Sequence, residues 1–99
     1  METNLYVLHC LDRESSAALR EAHREAHAGY MRLHAQNIVL GGPLLGADGH
    51  TRAGMMVVLD FPSQSAVHAF VDAEPYHRAG LFATTSLNSF QVVIQRAHS

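Results

Sequence analysis

Two histidines raise the question of chemistry. Residues Arg20 to His27 read REAHREAH, which sets His23 and His27 four positions apart. On a helix, residues at that spacing lie on one face, one turn from each other. Such a pair can share a metal ion. Alternatively, one imidazole can serve as a general acid/base, because it gains and loses a proton near neutral pH. The third reading is a polar helix flank, with Glu21 and Arg24 paired three positions apart. The spelling weighs against the metal. The zinc-protease pattern needs Glu directly after the first His, and here Arg24 follows His23. Arg20 and Arg24 also add positive charge, and no cysteine lies nearby. No metal ligand set is therefore expected, and His23 and His34 read as flank residues.

The elements that must position these side chains follow from periodicity and punctuation. Asn4 to Cys10, NLYVLHC, reads as a strand buried on much of both faces. Asp12, Ser15 or Ser16 can cap a following helix. From Ala17 to His34, Leu19, Ala22, Ala26, Tyr30 and Leu33 recur at steps of three and four, which predicts a helix with that stripe inward. His23, His27 and His34 then fall along the edge of the stripe. Asn37 to Pro43 is a second strand, ended by Gly41, Gly42 and Pro43. Asp48-Gly49 marks a turn. Gly54 to Phe61 is a third strand. Pro62 and Ser63 open a second helix carrying Ala66, Val67, Phe70 and Val71 on one face, and Pro75 ends it near Glu74. Tyr76 to Asn88 reads as a loop with a short extended piece, and Ser89 to Ala97 as the last strand. The order βαββαβ predicts an α+β, ferredoxin-like domain with a four-stranded antiparallel sheet. Both helices on one face leave the other sheet face bare, so a homodimer through the sheet face is expected.

The totals narrow the class. The chain has 99 residues, 47% hydrophobic and 16% charged, with a formal net charge of −2. That suits one small folded domain, residues 1–99. No basic run is present, so nucleic acid is not an expected partner. No apolar run approaches the length of a membrane span. The first fourteen residues lack the pattern of a signal peptide, which makes the cytoplasm the expected compartment. Cys10 is the only cysteine. It follows a strand and reads as buried and inert. Of the eight histidines, His9, His50, His68, His77 and His98 carry weaker signals, although His77 follows Tyr76, and His98 falls at a frayed terminus.

Several landmarks together resemble the YciI-like (YCII-related) family over nearly the whole chain. They are Arg24-x-x-His27-x-x-Tyr30, Gly42-Pro43-Leu44, Gly54, Glu74-Pro75-Tyr76 and Ala79-Gly80-Leu81-Phe82. The resemblance implies a ferredoxin-like, dimeric α/β-barrel protein with a His–Asp dyad in a pocket. His27 matches the histidine, and the acid falls on Glu74, one methylene longer. Met55 stands where some members have Ser, and Gln36-Asn37 where relatives carry an acidic residue. By this resemblance His27 is the general acid/base and Glu74 its orienter. Tyr30, Met55, Tyr76 and Phe82 would sandwich a small ring, Gly42 and Pro43 would wall the pocket, and Arg24 would hold a substrate carboxylate. Core packing of Tyr76 and Phe82, and pairing of Arg24 with Glu21, are the structural alternatives. The implied activity is cofactor-independent acid–base chemistry, of lyase, isomerase or hydrolase type, on a small aromatic or enolisable compound. A non-catalytic module binding a metabolite or a partner is the other reading.

Overall fold

The computed structural model describes residues 4–97, so His98 lies outside them. Four strands and three helices follow in the order β1 (Leu5–Asp12), α1 (Ala17–Leu33), β2 (Ile38–Leu45), β3 (Arg52–Asp60), α2 (Gln64–Ala73), α3 (Pro75–Arg78) and β4 (Phe82–Phe90), with one 3-10 turn at Ala35–Asn37. The strands form one antiparallel sheet in the order β2-β3-β1-β4. This is the expected ferredoxin-like α+β architecture.

The register explains the core. In β1, Tyr6, Leu8 and Cys10 are buried and alternate with more exposed neighbours, as a strand with one covered face requires. Opposite them on β3 stand Leu59, Val57 and Met55. Val67, Phe70 and Val71 of α2 close this core together with Phe61, Tyr76, Leu81 and Phe82. The Ser63 hydroxyl caps α2 by accepting from the Ala66 N–H at 3.2 Å. Burial pushes the Cys10 thiol up to about 11, which leaves it a buried, un-ionised group in the core.

Four sequence expectations need correction. First, β2 does not end at the glycines: it runs through Gly41, Gly42 and Pro43 to Leu45. It is an edge strand, where a proline costs no ladder bond if its nitrogen faces outward. Second, the last strand is Phe82–Phe90, and residues 91–97 lie outside any helix or strand. The polar string Thr84-Thr85-Ser86 hid β4, which forms because pairing with β1 supplies its partners. Third, the inner side of α1 differs from the predicted stripe. Ala22, Ala26 and Leu33 are exposed, whereas Arg20, His23, His27, Tyr30 and Met31 are half-buried. Only Leu19, Tyr30 and Met31 of this helix pack on the core, because α1 stands over a cavity for much of its length. Fourth, neither Asp12 nor Ser16 caps α1. The Ser16 hydroxyl donates to the Arg13 carbonyl, and Asp12 is bound to Arg20.

Candidate functional site

The site begins with a local accident of sequence. In Ala73-Glu74-Pro75-Tyr76-His77, proline occupies the first position of α3, where its fixed φ fits and its missing N–H is not needed. Glu74 is thereby the N-cap. Its Oε2 accepts from the Tyr76 N–H and its Oε1 from the His77 N–H, both at 3.1 Å. Glu74 is 0% exposed, a burial that a carboxylate tolerates only with such donors around it. His27 of α1 meets the same carboxylate at Oε2.

His27 Nδ1 lies 2.6 Å from Glu74 Oε2. An ionised carboxylate only accepts, so the network assigns the hydrogen of this contact to Nδ1, and in the neutral imidazole Nε2 then keeps the lone pair. The Tyr76 ring stacks on the imidazole at 4.1 Å between centroids and 15° between planes. A carboxylate and a ring thus hold the histidine from two directions. Nε2 has no hydrogen-bond partner among the described residues, and His27 lines an open cavity of about 670 Å³. That volume suits a small molecule.

The cavity lies between α1, β2 and β3, with Tyr76 of α3 at its end. Of the residues singled out by the sequence, Arg24, His27, Gly42, Pro43, Met55 and Tyr76 line it. Tyr30 and Phe82 do not. Tyr30 turns toward α2, where its hydroxyl donates to the Phe70 carbonyl at 2.7 Å and its ring packs on Phe70. Burial, and then the nearby Glu74, raise its pKa. Phe82 lies beneath the site, edge-on to Tyr76 at 6.2 Å. Both support the site from behind rather than sandwiching a ligand. Arg24 is exposed at the rim and bound to Glu21 at 3.3 Å. Among the described residues no group of three or more His, Cys, Asp and Glu side chains is arranged to hold a metal ion.

Sequence reasoning missed Arg20 and Asp12. The Arg20 Nε and Nη2 donate to the two Asp12 carboxylate oxygens at 2.8 and 3.0 Å, and Nη2 also reaches the Gly54 carbonyl at 3.2 Å. The guanidinium carbon sits 4.8 Å from the Tyr76 centroid. One arginine therefore ties α1 to the ends of β1 and β3 and to the ring that holds His27. Burial works against its charge, but Asp12 outweighs burial and the pKa ends above its ordinary value. The sequence signal was slight: an acid closing β1 and a basic residue in the first turn of the next helix. It gains meaning only when the strand order places both beside Gly54.

Fold and site together define a ferredoxin-like α+β protein with an imidazole, held by a buried carboxylate, facing a small-molecule cavity. Comparison with known proteins agrees with the fold. The model of the YCII-related domain matches residues 4–91. Protein YciI of Escherichia coli O6:H1 is 31% identical over 96 residues, covering 90% of this chain and 98% of its own. The chain belongs to the YCII-related family. Among solved structures, the 5-chloro-2-hydroxyhydroquinone dehydrochlorinase of Burkholderia phenoliruptrix, in complex with 2,5-dihydroxybenzoquinone, is similar at a TM-score of 0.82 and 32% identity, over 88% of this chain and 93% of that one. Rv0793 of Mycobacterium tuberculosis shares the fold at a TM-score of 0.56 and 13% identity, over 97% of this chain and 100% of its own.

Proposed function

We propose that the chain is a small-molecule enzyme in which His27 exchanges a proton with the substrate and Glu74 orients it. The observation that carries this reading is the 2.6 Å contact between His27 Nδ1 and Glu74 Oε2, with Nε2 left free beside the cavity. The substrate class is a small oxygenated ring, drawn from the similarity to the dehydrochlorinase. On such a ring Nε2 takes a hydroxyl proton and leaves an oxyanion. The proton returned to the halogen-bearing carbon gives a ketone tautomer. Loss of a second hydroxyl proton then expels the halide with its bonding pair, so the net change is loss of HX. Only protons and one anion move, which is why this reading asks for no cofactor.

The test is chloride release from 5-chloro-2-hydroxyhydroquinone by wild type and by His27→Ala. The variant should be slower by about 10²–10⁴-fold, the usual contribution of a general acid/base. Its melting temperature should stay close to that of wild type, which separates chemistry from folding. Equal rates would sink the acid–base role. Binding without turnover, with His27→Ala retaining affinity, would instead establish the binding-module reading.

The functional unit in this proposal is a homodimer through the outer sheet face. Leu11, Leu40 and Phe90 are exposed there, and beyond β4 the side chains of Val93 and Ile94 are 87% and 92% exposed. Apolar residues exposed on the outer sheet face and in the segment after it call for a cover. Wild type should sediment as a dimer, and Val93→Asp with Ile94→Asp should move it toward the monomer. A wild-type monomer at micromolar concentration contradicts the proposal.

A further inference from the structure

We infer that Arg20 and Tyr76 form an oxyanion site in the same cavity, which selects a flat ring bearing an ionised oxygen. This inference rests on the acid–base reading of His27 and specifies the ligand that His27 would meet. Arg20 commits Nε and Nη2 to Asp12 and the Gly54 carbonyl, and Nη1 keeps its hydrogens with no partner of hydrogen-bond length among the described residues. Asp12 fixes the planar guanidinium, so those donors are aimed before a ligand arrives. The Tyr76 hydroxyl lies beside the Arg20 guanidinium and has no partner at full hydrogen-bond length among the described residues, although the residue is 2% exposed. Among the described residues no buried side-chain nitrogen or oxygen is left unpartnered, so the free hydroxyl is open to the cavity that Tyr76 lines. Burial raises its pKa more than the adjacent Arg20 lowers it, and it remains an O–H donor at neutral pH.

Charge points the same way. Arg20, Arg24 and Arg52 line the cavity; Arg20 is paired with Asp12, and Arg24 with Glu21 and Glu25. Among the described residues no carboxylate lies within ion-pair distance of Arg52. Apart from Thr51 the remaining walls are apolar, with Met31, Met55 and Val57 suited to the faces of a ring. Two donors and one uncompensated cation, Arg52, suit an oxygen that is anionic in the ligand or becomes so when His27 removes a proton. The bonding pair left behind then resides on an oxygen held by Nη1 and Oη. The site would thus stabilise the charge that the base creates.

The probe is 4-nitrophenol, whose visible absorption reports its ionisation, with 4-nitroanisole as a control of similar shape that cannot ionise. At mildly acidic pH, where the free phenol is protonated, wild type should bind 4-nitrophenol and display the phenolate band. Tyr76→Phe keeps the stack on His27 and removes one donor. Arg20→Lys keeps a charge for Asp12 and removes the fork. Each should weaken 4-nitrophenolate binding by about tenfold or more, the size expected for a hydrogen bond to a charged group. Binding of 4-nitroanisole should be unchanged, and if Arg20→Lys does not fold, Tyr76→Phe decides alone. Equal affinity of wild type and Tyr76→Phe for the phenolate, or absence of the phenolate band with wild type, overturns the inference. The two readings fail separately. His27→Ala should slow turnover by about 10²–10⁴-fold yet leave phenolate binding within a few-fold, whereas loss of the oxyanion site alters binding itself.

Discussion

Replacing Glu74 by Ala should lower the unfolding free energy by about 2–4 kcal/mol and leave His27 without a fixed tautomer. The carboxylate accepts three hydrogen bonds: two from the N–H groups that open α3 and one from His27 Nδ1. Loss of an N-cap costs about 0.5–2 kcal/mol. A buried donor left unpaired costs about 1–3 kcal/mol more. For a domain of this size the sum lowers the melting temperature by roughly 10–25 °C. Glu74→Gln divides the two roles. Its amide oxygen can still accept from Nδ1, but its NH₂ group then faces the His77 N–H, so the cap is half lost and the negative charge is gone. The nitrogen-15 spectrum of the imidazole should show Nδ1–H in wild type and a mixture of tautomers in Glu74→Ala. A single Nδ1–H form in Glu74→Ala, with an unchanged melting temperature, would show that the carboxylate neither holds His27 nor caps the helix.

Which parts of this arrangement were legible in the sequence follows from how local each part is. The length of α1 was legible to within one residue at its C-terminus, because periodicity belongs to the helix itself. The side of α1 that faces inward was legible only in part: Leu19 and Tyr30 of the stripe pack on the core, and the edge histidines are half-buried. Periodicity assumes that the covered side packs on the core, and here an open cavity takes Arg20 and His27 while Ala22, Ala26 and Leu33 face out. Pro75 was read as a stop, and it is also a start: the residue that ends α2 fixes the first turn of α3 and makes Glu74 a cap. The pairing of His27 with Glu74 spans 47 positions. No propensity or spacing joins two residues so far apart, and only the family pattern proposed them together. Tyr30 shows the limit of that pattern. It shares the motif with Arg24 and His27, yet its hydroxyl clamps α1 to α2 and does not enter the cavity. β4 was displaced because its strand is polar while the chain after it, Val92-Val93-Ile94, has the composition of a strand without a partner among the described residues.

The contacts converge on one backbone position, and the second large effect is expected there. Gly54→Ala should destabilise the protein by about 1–3 kcal/mol or more, as overpacking that forces backbone movement does. A Cβ at residue 54 would lie 2.1 Å from the Cys10 carbonyl oxygen and 3.2 Å from the Leu11 Cα. β1 and β3 therefore approach more closely there than any other residue permits, and no side-chain rotation can relieve a clash with backbone. The strands would have to part at the end where Asp12 receives Arg20 and where the Gly54 carbonyl accepts from the same arginine. Met55, the next residue, lines the cavity, and Arg20 braces the ring that holds His27. The loss should thus reach the site as well as the sheet. Thermal unfolding should show a fall of roughly 5–20 °C, accompanied by weaker phenolate binding. Gly42→Ala is the matched control: it alters another glycine of the same sheet and cavity, but a Cβ there meets nothing within 4 Å. It should unfold close to wild type. If both variants unfold with the wild-type midpoint, the close approach of β1 and β3 is not what Gly54 is there to allow.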